Sequence, residues 1–482
     1  MSRRAWLLAL VAVAVRAFAA AMVRVVDSDG ARNLQMALLM EQGRFADALR
    51  LPTPTPPLHP FLSVLADLPL GNILVAGVAV SVVLGGLAVL PLHAMARRVW
   101  DERVATVAGL LYALLPAAVD VHAEPMTEGA FLFFFLSAAW MGWRGLEERS
   151  WEMTAAAAGA SALAWLSRPE GIYLLPLFLL AAVLRFSRFS VPAVAVFGAV
   201  WFVLAFPYLC FIHGETGHWR LSLSPIPVLI TKYLGGERVP GLAEQEFEPY
   251  RSVARYGVVL GGGKYLFAHF FGKALFYVLG PFLVIGLARP RPGDGQRPLL
   301  AYGWLAAAGY MVPILLSFAA STPFSHRFLL APVAFLLPTV AAGVVRAADG
   351  TRRPRALPLL AGALCLAMAA WDARVRRAEK IGVKEAGEAI LRSLGPGRRL
   401  YTTNRAAEFY ARAEHVEAPT FVSLDDVEKL KPDAIVICPR DLRATEDRVE
   451  ERLAERHPRM GEFPSPPQTG THPVRVYLGT PR

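Results

Sequence analysis

Residues 72–96 read NILVAGVAVSVVLGGLAVLPLHAMA, a stretch without a single Asp, Glu, Lys or Arg. A helix of about 20 such residues crosses the hydrocarbon core of a bilayer. A helix lying on a soluble core would show a polar face every turn, and this one shows none. Comparable blocks recur on both sides: Ala5–Val26, Val104–Val121, Glu128–Trp143, Met153–Leu166, Gly171–Arg185, Val191–Ile212, Tyr265–Ala288, Leu299–Ala320, Phe328–Val345 and Ala356–Trp371. Together they predict about eleven crossings. Pro60–Leu70 is too short to cross and reads as a re-entrant or interfacial segment. Composition agrees. Of 482 residues, 55% are hydrophobic and 18% charged, against about a quarter charged in soluble chains. The mean hydropathy is +0.40.

Three cysteines far apart (Cys210, Cys365, Cys438) give neither a disulfide framework nor a thiolate metal site. Arg3-Arg4 followed by an apolar run and Ala17-Phe18-Ala19 imitates a secretory leader. Arg16 interrupts that run, and a chain with many later spans needs no cleavable leader, so the first block is expected to stay as a span. The net charge of +11 invites a nucleic-acid reading, but no aromatic-basic platform accompanies it. Much of it lies in short arginine clusters between apolar blocks: Arg97, Arg98 and Arg103; Arg144 and Arg149; Arg185 and Arg188; Arg289, Arg291 and Arg297; Arg346, Arg352, Arg353 and Arg355. These fall on alternate connections, as expected of loops retained inside the cell. The amino terminus is therefore expected inside, with the protein in the cytoplasmic (inner) membrane and the carboxyl terminus outside.

Beyond Trp371 the chain turns polar. Arg399–Thr402, Ala434–Cys438 and Val474–Leu478 read as strands. Ala406–Ala413 and Glu446–Arg456 read as helices, with a helix start signal at Ser423-Leu424-Asp425-Asp426. The expected fold is an all-α polytopic membrane protein over 1–371, followed by a small α/β extracytoplasmic domain over 372–482.

Chemistry is expected where ionisable groups persist at the outer boundary; at a helix centre each costs about 2.5–3.5 kcal/mol. Asp27-Ser28-Asp29-Gly30-Ala31-Arg32-Asn33 follows the first span and leads into an amphipathic helix. Asp29 could cap that helix. It could equally take a proton from an attacking hydroxyl, with Arg32 one turn on to hold a phosphate. The two roles are compatible. Pro52–Pro60, with Pro56-Pro57-Leu58-His59-Pro60, is expected to form a rigid extended loop in which His59 could carry a proton or act as a ligand, although a lone loop histidine usually does neither. Asp120-Val121-His122-Ala123-Glu124 is an acidic outer loop whose Asp120, His122 and Glu124 could hold a divalent cation, or simply be solvated. Arg168-Pro169-Glu170 and Ser325-His326-Arg327-Phe328 sit at outer helix ends, where arginines pair with neighbouring acids or bind a lipid phosphate. His213, Glu215 and His218 lack the helical spacing of a zinc site. Gly261-Gly262-Gly263 lacks the Lys-Ser/Thr of a phosphate loop. No metal or cofactor is firmly indicated.

In this order and sidedness the motifs resemble the class C membrane glycosyltransferases. Asp29-Gly30 after the first span, then Ala37 to Gly43, is similar to the opening of that family. Pro56-Pro57-Leu58-His59-Pro60 is similar to its Pro-Pro-Leu-x-Pro loop. Ala96-Arg97-Arg98, Leu115-Pro116, Glu124, Arg168-Pro169-Glu170-Gly171 and Arg327-Phe328-Leu329-Leu330-Ala331-Pro332 follow in the family's order. The nearest groups are the dolichyl-phosphate-mannose–protein mannosyltransferases and the bacterial aminoarabinose lipid A transferases, and the likeness covers about residues 1 to 345. Two positions depart from the pattern: Gly30 replaces the second acid of the pair, and Asn33 replaces a tyrosine.

The resemblance implies transfer of a sugar from a polyprenyl-phosphate donor to a lipid, glycan or protein acceptor on the outer face. Asp29 would be the general base, with Asp27 as a nearby substitute. Arg32, Arg168 or Arg327 would face the donor phosphate, with His59, Asp120, His122, Glu124 and Glu170 as accessory groups. The rival reading is a transporter or flippase for a lipid-linked saccharide. It expects charges near the bilayer midplane, where the sequence offers mainly Arg16.

Overall fold

The computed structural model describes residues 2–51, 55–221, 263–288, 296–319, 325–351, 353, 355–402, 404–415, 424–437, 449–463 and 473–479. The apolar blocks within them are largely helical, because lipid offers no partner to an unpaired N–H or C=O and a helix satisfies both internally. Among the described residues five helices are long and apolar enough to cross a membrane: Arg3–Ala21, Ile73–Val99, Glu128–Glu148, Ser190–Thr216 and His326–Gly350. A broken pair, Glu102–Ala113 and Pro116–His122, meets at 50° and makes up to one more. The chain is a multi-pass membrane protein, although this criterion gives fewer crossings than the blocks predict. The other blocks form Trp151–Ser167, Pro169–Leu184, Arg297–Ala319 and Ala356–Asp372, plus a divided segment. Tyr265–Ala288, expected as one span, is divided. Gly263–His269 runs into a π turn at Phe270–Ala274, and left-handed Phe276 and Tyr277 separate it from Gly280–Ala288.

The proline-rich segment also departs from expectation. Residues 52–54 lie outside the described part, but Leu58–Leu70 is a helix and not an extended loop. Pro60 occupies its first turn, where backbone N–H groups have no helical acceptor to lose. Of the Gly261–Gly263 run only Gly263 is described, and it opens a helix.

Small residues set how closely the helices approach. A Cβ on Gly343 would meet the Phe282 carbonyl oxygen at 1.9 Å, and one on Gly286 the Thr339 carbonyl oxygen at 2.1 Å. The backbones of Gly280–Ala288 and Leu330–Gly350 therefore touch.

Arg16 is fully buried. Its Nη1 donates to the carbonyls of Ala12 and Ala113 at 3.0 Å, its Nη2 to Tyr112 O at 3.3 Å and its Nε to His122 Nδ1 at 3.1 Å. The guanidinium also sits 4.9 Å from the Tyr112 ring centre. This arrangement explains the break at Leu114-Leu115. The carbonyl of Tyr112 would bond the N–H four residues on, but that residue is Pro116. Arg16 supplies the missing donors at the helix's negative end.

The two ends of the bundle carry different charge groups. At one, Glu147 joins Arg98 at 2.9 Å and Arg185 at 3.3 Å, and Asp349 joins Arg103 at 3.1 Å. At the other lie Asp29, Asp120, Glu124, Glu128, Arg168 and Arg327.

Among the described residues the carboxyl-terminal segment holds a five-stranded mixed sheet of order β2-β1-β3-β5-β4. Its strands are β1 Arg399–Thr402, β2 Glu414–His415, β3 Ala434–Ile437, β4 Arg459–Phe463 and β5 Val474–Leu478. β1 runs parallel to β2 and β3, and β5 antiparallel to β3 and β4. The helix expected over Glu446–Arg456 is described as Val449–Arg456, and the one expected at Ser423–Asp426 as Leu424–Leu430; Cys438, 446–448 and Ser423 lie outside the described residues. Helices Ile381–Leu394 and Arg405–Ala411 bury Val383, Ala386, Ile390, Ala406 and Ala407 against one face. Val25, Val26, Ala31 and Leu34 belong to the same apolar cluster. The sheet is thus docked on the amphipathic helix Ser28–Glu41 by a shared core, with Val23 paired in parallel to Arg376.

Arg16→Leu should strand the Ala113 carbonyl, leave Tyr112 O with only a 3.3 Å bond from the Leu115 N–H, and destabilise the fold by about 3 kcal/mol. The thermal midpoint of the detergent-purified protein measures this; an unchanged midpoint would remove Arg16 from its stapling role.

Candidate functional site

Helix Ser28–Glu41 begins at Asp27, not Asp29. Asp27 is the N-cap, and its Oδ1 accepts from the Asp29 N–H at 3.2 Å. Its Oδ2 receives Lys380 Nζ and Arg377 Nη2, both at 3.2 Å. Burial would raise the Asp27 carboxyl, but Arg377 and Lys380 outweigh it and hold the group below its usual range. The capping role considered for Asp29 thus falls to Asp27, and the Asp29 side chain is free of that duty.

The Asp29 carboxylate lies between two guanidinium groups. Arg327 Nη2 is 2.5 Å from Oδ2, and Arg32 Nη2 is 3.5 Å from Oδ1. Burial alone would raise its pKa. Arg327, with its hydrogen bond, and Arg32 reverse the sign, so the group is held below the usual carboxylate range. It is ionised at neutral pH and one-third exposed.

Arg327 continues the chain of charges. Its Nε lies 3.5 Å from Glu128 Oε1, and the same oxygen contacts Arg168 Nη1. Arg168 is gripped by Glu170 as well, through Nη2 at 2.7 Å and Nε at 3.3 Å. Both arginines pack over the Phe328 ring, at 5.1 and 5.4 Å. The order Arg32, Asp29, Arg327, Glu128, Arg168, Glu170 alternates in sign across four chain segments. Arg168 is committed to two carboxylates, while Arg327 is more exposed, 23% against 12%.

The loop groups expected to converge on a cation diverge. Asp120 and His122 lie two apart at the end of helix Pro116–His122 and face different ways. Asp120 takes Arg374 at 2.6 Å and Arg376 at 2.8 Å. His122 is buried against Arg16. Glu124 takes Arg377 Nε at 3.0 Å and the Asp27 N–H at 2.8 Å. Burial pushes the Glu124 carboxyl up, with Arg377 opposing. Among the described residues no three potential ligands gather, so the Asp120–His122–Glu124 metal reading is corrected. Glu215 pairs with Arg50 at 2.8 Å.

His59 is also corrected, from loop proton carrier to buried strut. Its Nε2 lies 2.9 Å from Ser81 Oγ, which itself bonds the Met126 carbonyl at 2.8 Å. Burial lowers its pKa to about 4, so the ring stays neutral.

The two departures at positions 30 and 33 have local causes. A Cβ on Gly30 would meet Val26 Cγ1 at 3.0 Å and Pro125 Cγ at 3.1 Å, leaving no easy room for a second acid. Asn33 donates to Pro125 O at 3.0 Å and accepts from Thr55 Oγ1 at 3.1 Å, fastening the helix to both neighbouring loops.

Sequence reasoning missed several members of the cluster. Glu128 was counted as the start of a span, yet it is 3% exposed and joins Arg168 to Arg327. Its signal was an acid opening an apolar block. Arg374, Arg376, Arg377 and Lys380, next to the last span, are the partners of Asp27, Asp120 and Glu124.

Comparison with known proteins bears on the same region. The family model described as dolichyl-phosphate-mannose-protein mannosyltransferase matches residues 54–211, less than half of the chain. No curated protein matches by sequence. Among solved structures, ArnT from Cupriavidus metallidurans bound to undecaprenyl phosphate is similar over 100% of both chains, at 15% identity and a TM-score of 0.64. The Archaeoglobus fulgidus oligosaccharyltransferase, solved with zinc and sulfate, is similar over 90% of this chain and 68% of its own, at 14% identity and a TM-score of 0.59. The mycobacterial arabinofuranosyltransferase AftD is similar over 100% of this chain and 42% of its own, at 15% identity and a TM-score of 0.50. The resemblance to the class C membrane glycosyltransferases is therefore carried by sequence over 54–211 and by fold along the whole chain.

Proposed function

We propose that the protein transfers a sugar from a polyprenyl-phosphate donor to an acceptor on the outer face of the cytoplasmic membrane, with Asp29 as general base. The reading has the amino terminus inside and residues 372–482 forming an extracytoplasmic domain beside the site. The observation that carries it is the ionised, partly open Asp29 carboxylate, 2.5 Å from a partly accessible Arg327 at one end of the bundle. The fold shared with ArnT, whose structure holds undecaprenyl phosphate, supports the donor class.

In this mechanism the acceptor hydroxyl attacks the anomeric carbon opposite the phosphate. Its proton passes to Asp29 as the new C–O bond forms. The bond from the anomeric carbon to the phosphate oxygen breaks with its electron pair, leaving polyprenyl phosphate and an inverted centre. Negative charge grows on the departing phosphate, where preplaced guanidinium groups stabilise it without reorganising. Arg327 and Arg32 fill that role. Arg168, committed to Glu128 and Glu170, holds Arg327 in register through the shared Glu128 oxygen. Arg16, the mid-span charge that a flippase would need along its path, is enclosed by backbone carbonyls and His122, which weakens the transport reading.

Asp29→Asn should lower kcat by about 100-fold or more while leaving fold and insertion intact. Measured transfer of labelled sugar from polyprenyl-phosphate donors would test this, and near-normal turnover would refute the base role. Arg327→Ala should raise the donor's KM by about 10-fold, beyond any change in the acceptor's; equal effects on both would count against a donor-phosphate contact. Because Arg327 depresses the Asp29 pKa, the acid limb of the wild-type kcat/KM profile should lie below the usual carboxylate range. In Arg327→Ala it should move to higher pH, and a limb that stays in place would detach Asp29 from the profile.

A further inference from the structure

We propose that Arg405 is a substrate contact: the cation through which the carboxyl-terminal segment enters the reacting face, taking an oxyanion carried by one of the two substrates. This rests on the sugar-transfer reading above and adds a binding residue on a segment to which that reading gives no chemical part.

Two fastenings fix where Arg405 stands. Asn404 Oδ1 accepts from the Ala406 N–H at 3.1 Å, capping helix Arg405–Ala411, and it also accepts from Ser28 Oγ at 3.4 Å. One turn further on, Glu408 Oε2 accepts from Gln35 Nε2 at 3.4 Å. Ser28, Arg32 and Gln35 share one face of their helix, at spacings of four and three. On the other helix Asn404 is the cap, and Arg405 and Glu408 follow at a spacing of three. Arg405 is therefore held against the stretch that carries Asp29 and Arg32. The apolar cluster of Ala31, Leu34, Ala406 and Ala407 beneath leaves neither helix free to slide.

Arg405 is half-buried, yet it makes no hydrogen bond, ion pair or ring contact with any described residue. The charges acting on it are the Glu408 and Asp29 carboxylates, and it acts in turn on Arg32. Neither carboxylate makes an ion pair or hydrogen bond with Arg405: Glu408, which accepts from Gln35, acts on it only through space, and Asp29 already serves Arg327 and Arg32. Two neighbouring guanidinium groups repel, and partial burial weakens the screening that would relieve them. An oxyanion between them removes the repulsion and gains charge-assisted hydrogen bonds, in which the planar arginine fork fits phosphate or carboxylate in a bidentate way. A buried salt bridge within the protein would have been the structural alternative, and Arg405 has none among the described residues.

The oxyanion has two sources, the donor's phosphate and an anionic group on the acceptor, and binding to full-length detergent-purified protein separates them. One arm titrates polyprenyl phosphate. The other titrates inorganic phosphate into protein already saturated with polyprenyl phosphate. Arg405→Gln should weaken one arm by about 10-fold, and the arm that weakens identifies the substrate; both arms within twofold of wild type, or no phosphate binding by the loaded wild type with an unchanged first arm, would overturn the proposal. Should Arg405→Gln lose its fold, seen as a collapsed thermal midpoint, Arg405→Lys takes its place, since it keeps the charge and removes the fork. A loss of about threefold in one arm then supports the contact and unchanged affinities overturn it. Wild-type protein that binds no polyprenyl phosphate would sink the transfer reading and Arg405 with it, whereas equal binding by wild type and variant sinks Arg405 alone.

Discussion

Asp29 and Arg327 lie 298 residues apart in sequence and 2.5 Å apart in space. Each charge is favoured by the other. A carboxylate partly withdrawn from water beside an apolar bundle tends to take up a proton, and a guanidinium there tends to lack compensation. Their pairing lets both stay ionised, which is the state that proton abstraction and phosphate binding each require. Arg32 and Glu128 extend the same logic to either side, and Arg168 and Glu170 complete the row.

The supports of that pair come from unlike parts of the chain. Asp29 sits on a helix whose start is fixed by the Asp27 cap and whose back is buried in a core shared with the sheet of the carboxyl-terminal segment. Asp27, Asp120 and Glu124 are in turn bound by the arginines and lysine of 374–380. The segment after the last apolar helix therefore acts on the site twice, once by clamping its acids and once through Arg405. Deeper in the bundle, Arg16 has an unrelated task, supplying donors to a helix end that Pro116 leaves open.

The sequence showed the motif order well because those motifs are local. An acid after an apolar run, a proline pair before a histidine, and an arginine before a proline can each be read without knowing what they touch. Partner choice was harder to read. Asp120, His122 and Glu124 look like a cluster within one loop, but a two-residue step turns successive side chains apart and each found a different partner. His59 reads as a loop residue because prolines surround it, whereas Pro60 fits the first helical turn and the helix carries the ring into the core. Glu128 was overlooked because its neighbours are apolar, and its partners lie 40 residues away or further.

By itself the sequence determined that this chain lives in a bilayer. Runs of uncharged residues cannot be hydrated, and their length is set by membrane thickness whatever they pack against. It also determined where acids and cations persist at the boundary. The tertiary structure alone decided which acid is fastened and which is open, because ionisation depends on charges within a few ångströms, brought there by helices that are neighbours only in space. Asp27 and Asp29 differ by two positions in the chain. One became a cap tied to Arg377 and Lys380, and the other a carboxylate facing Arg327.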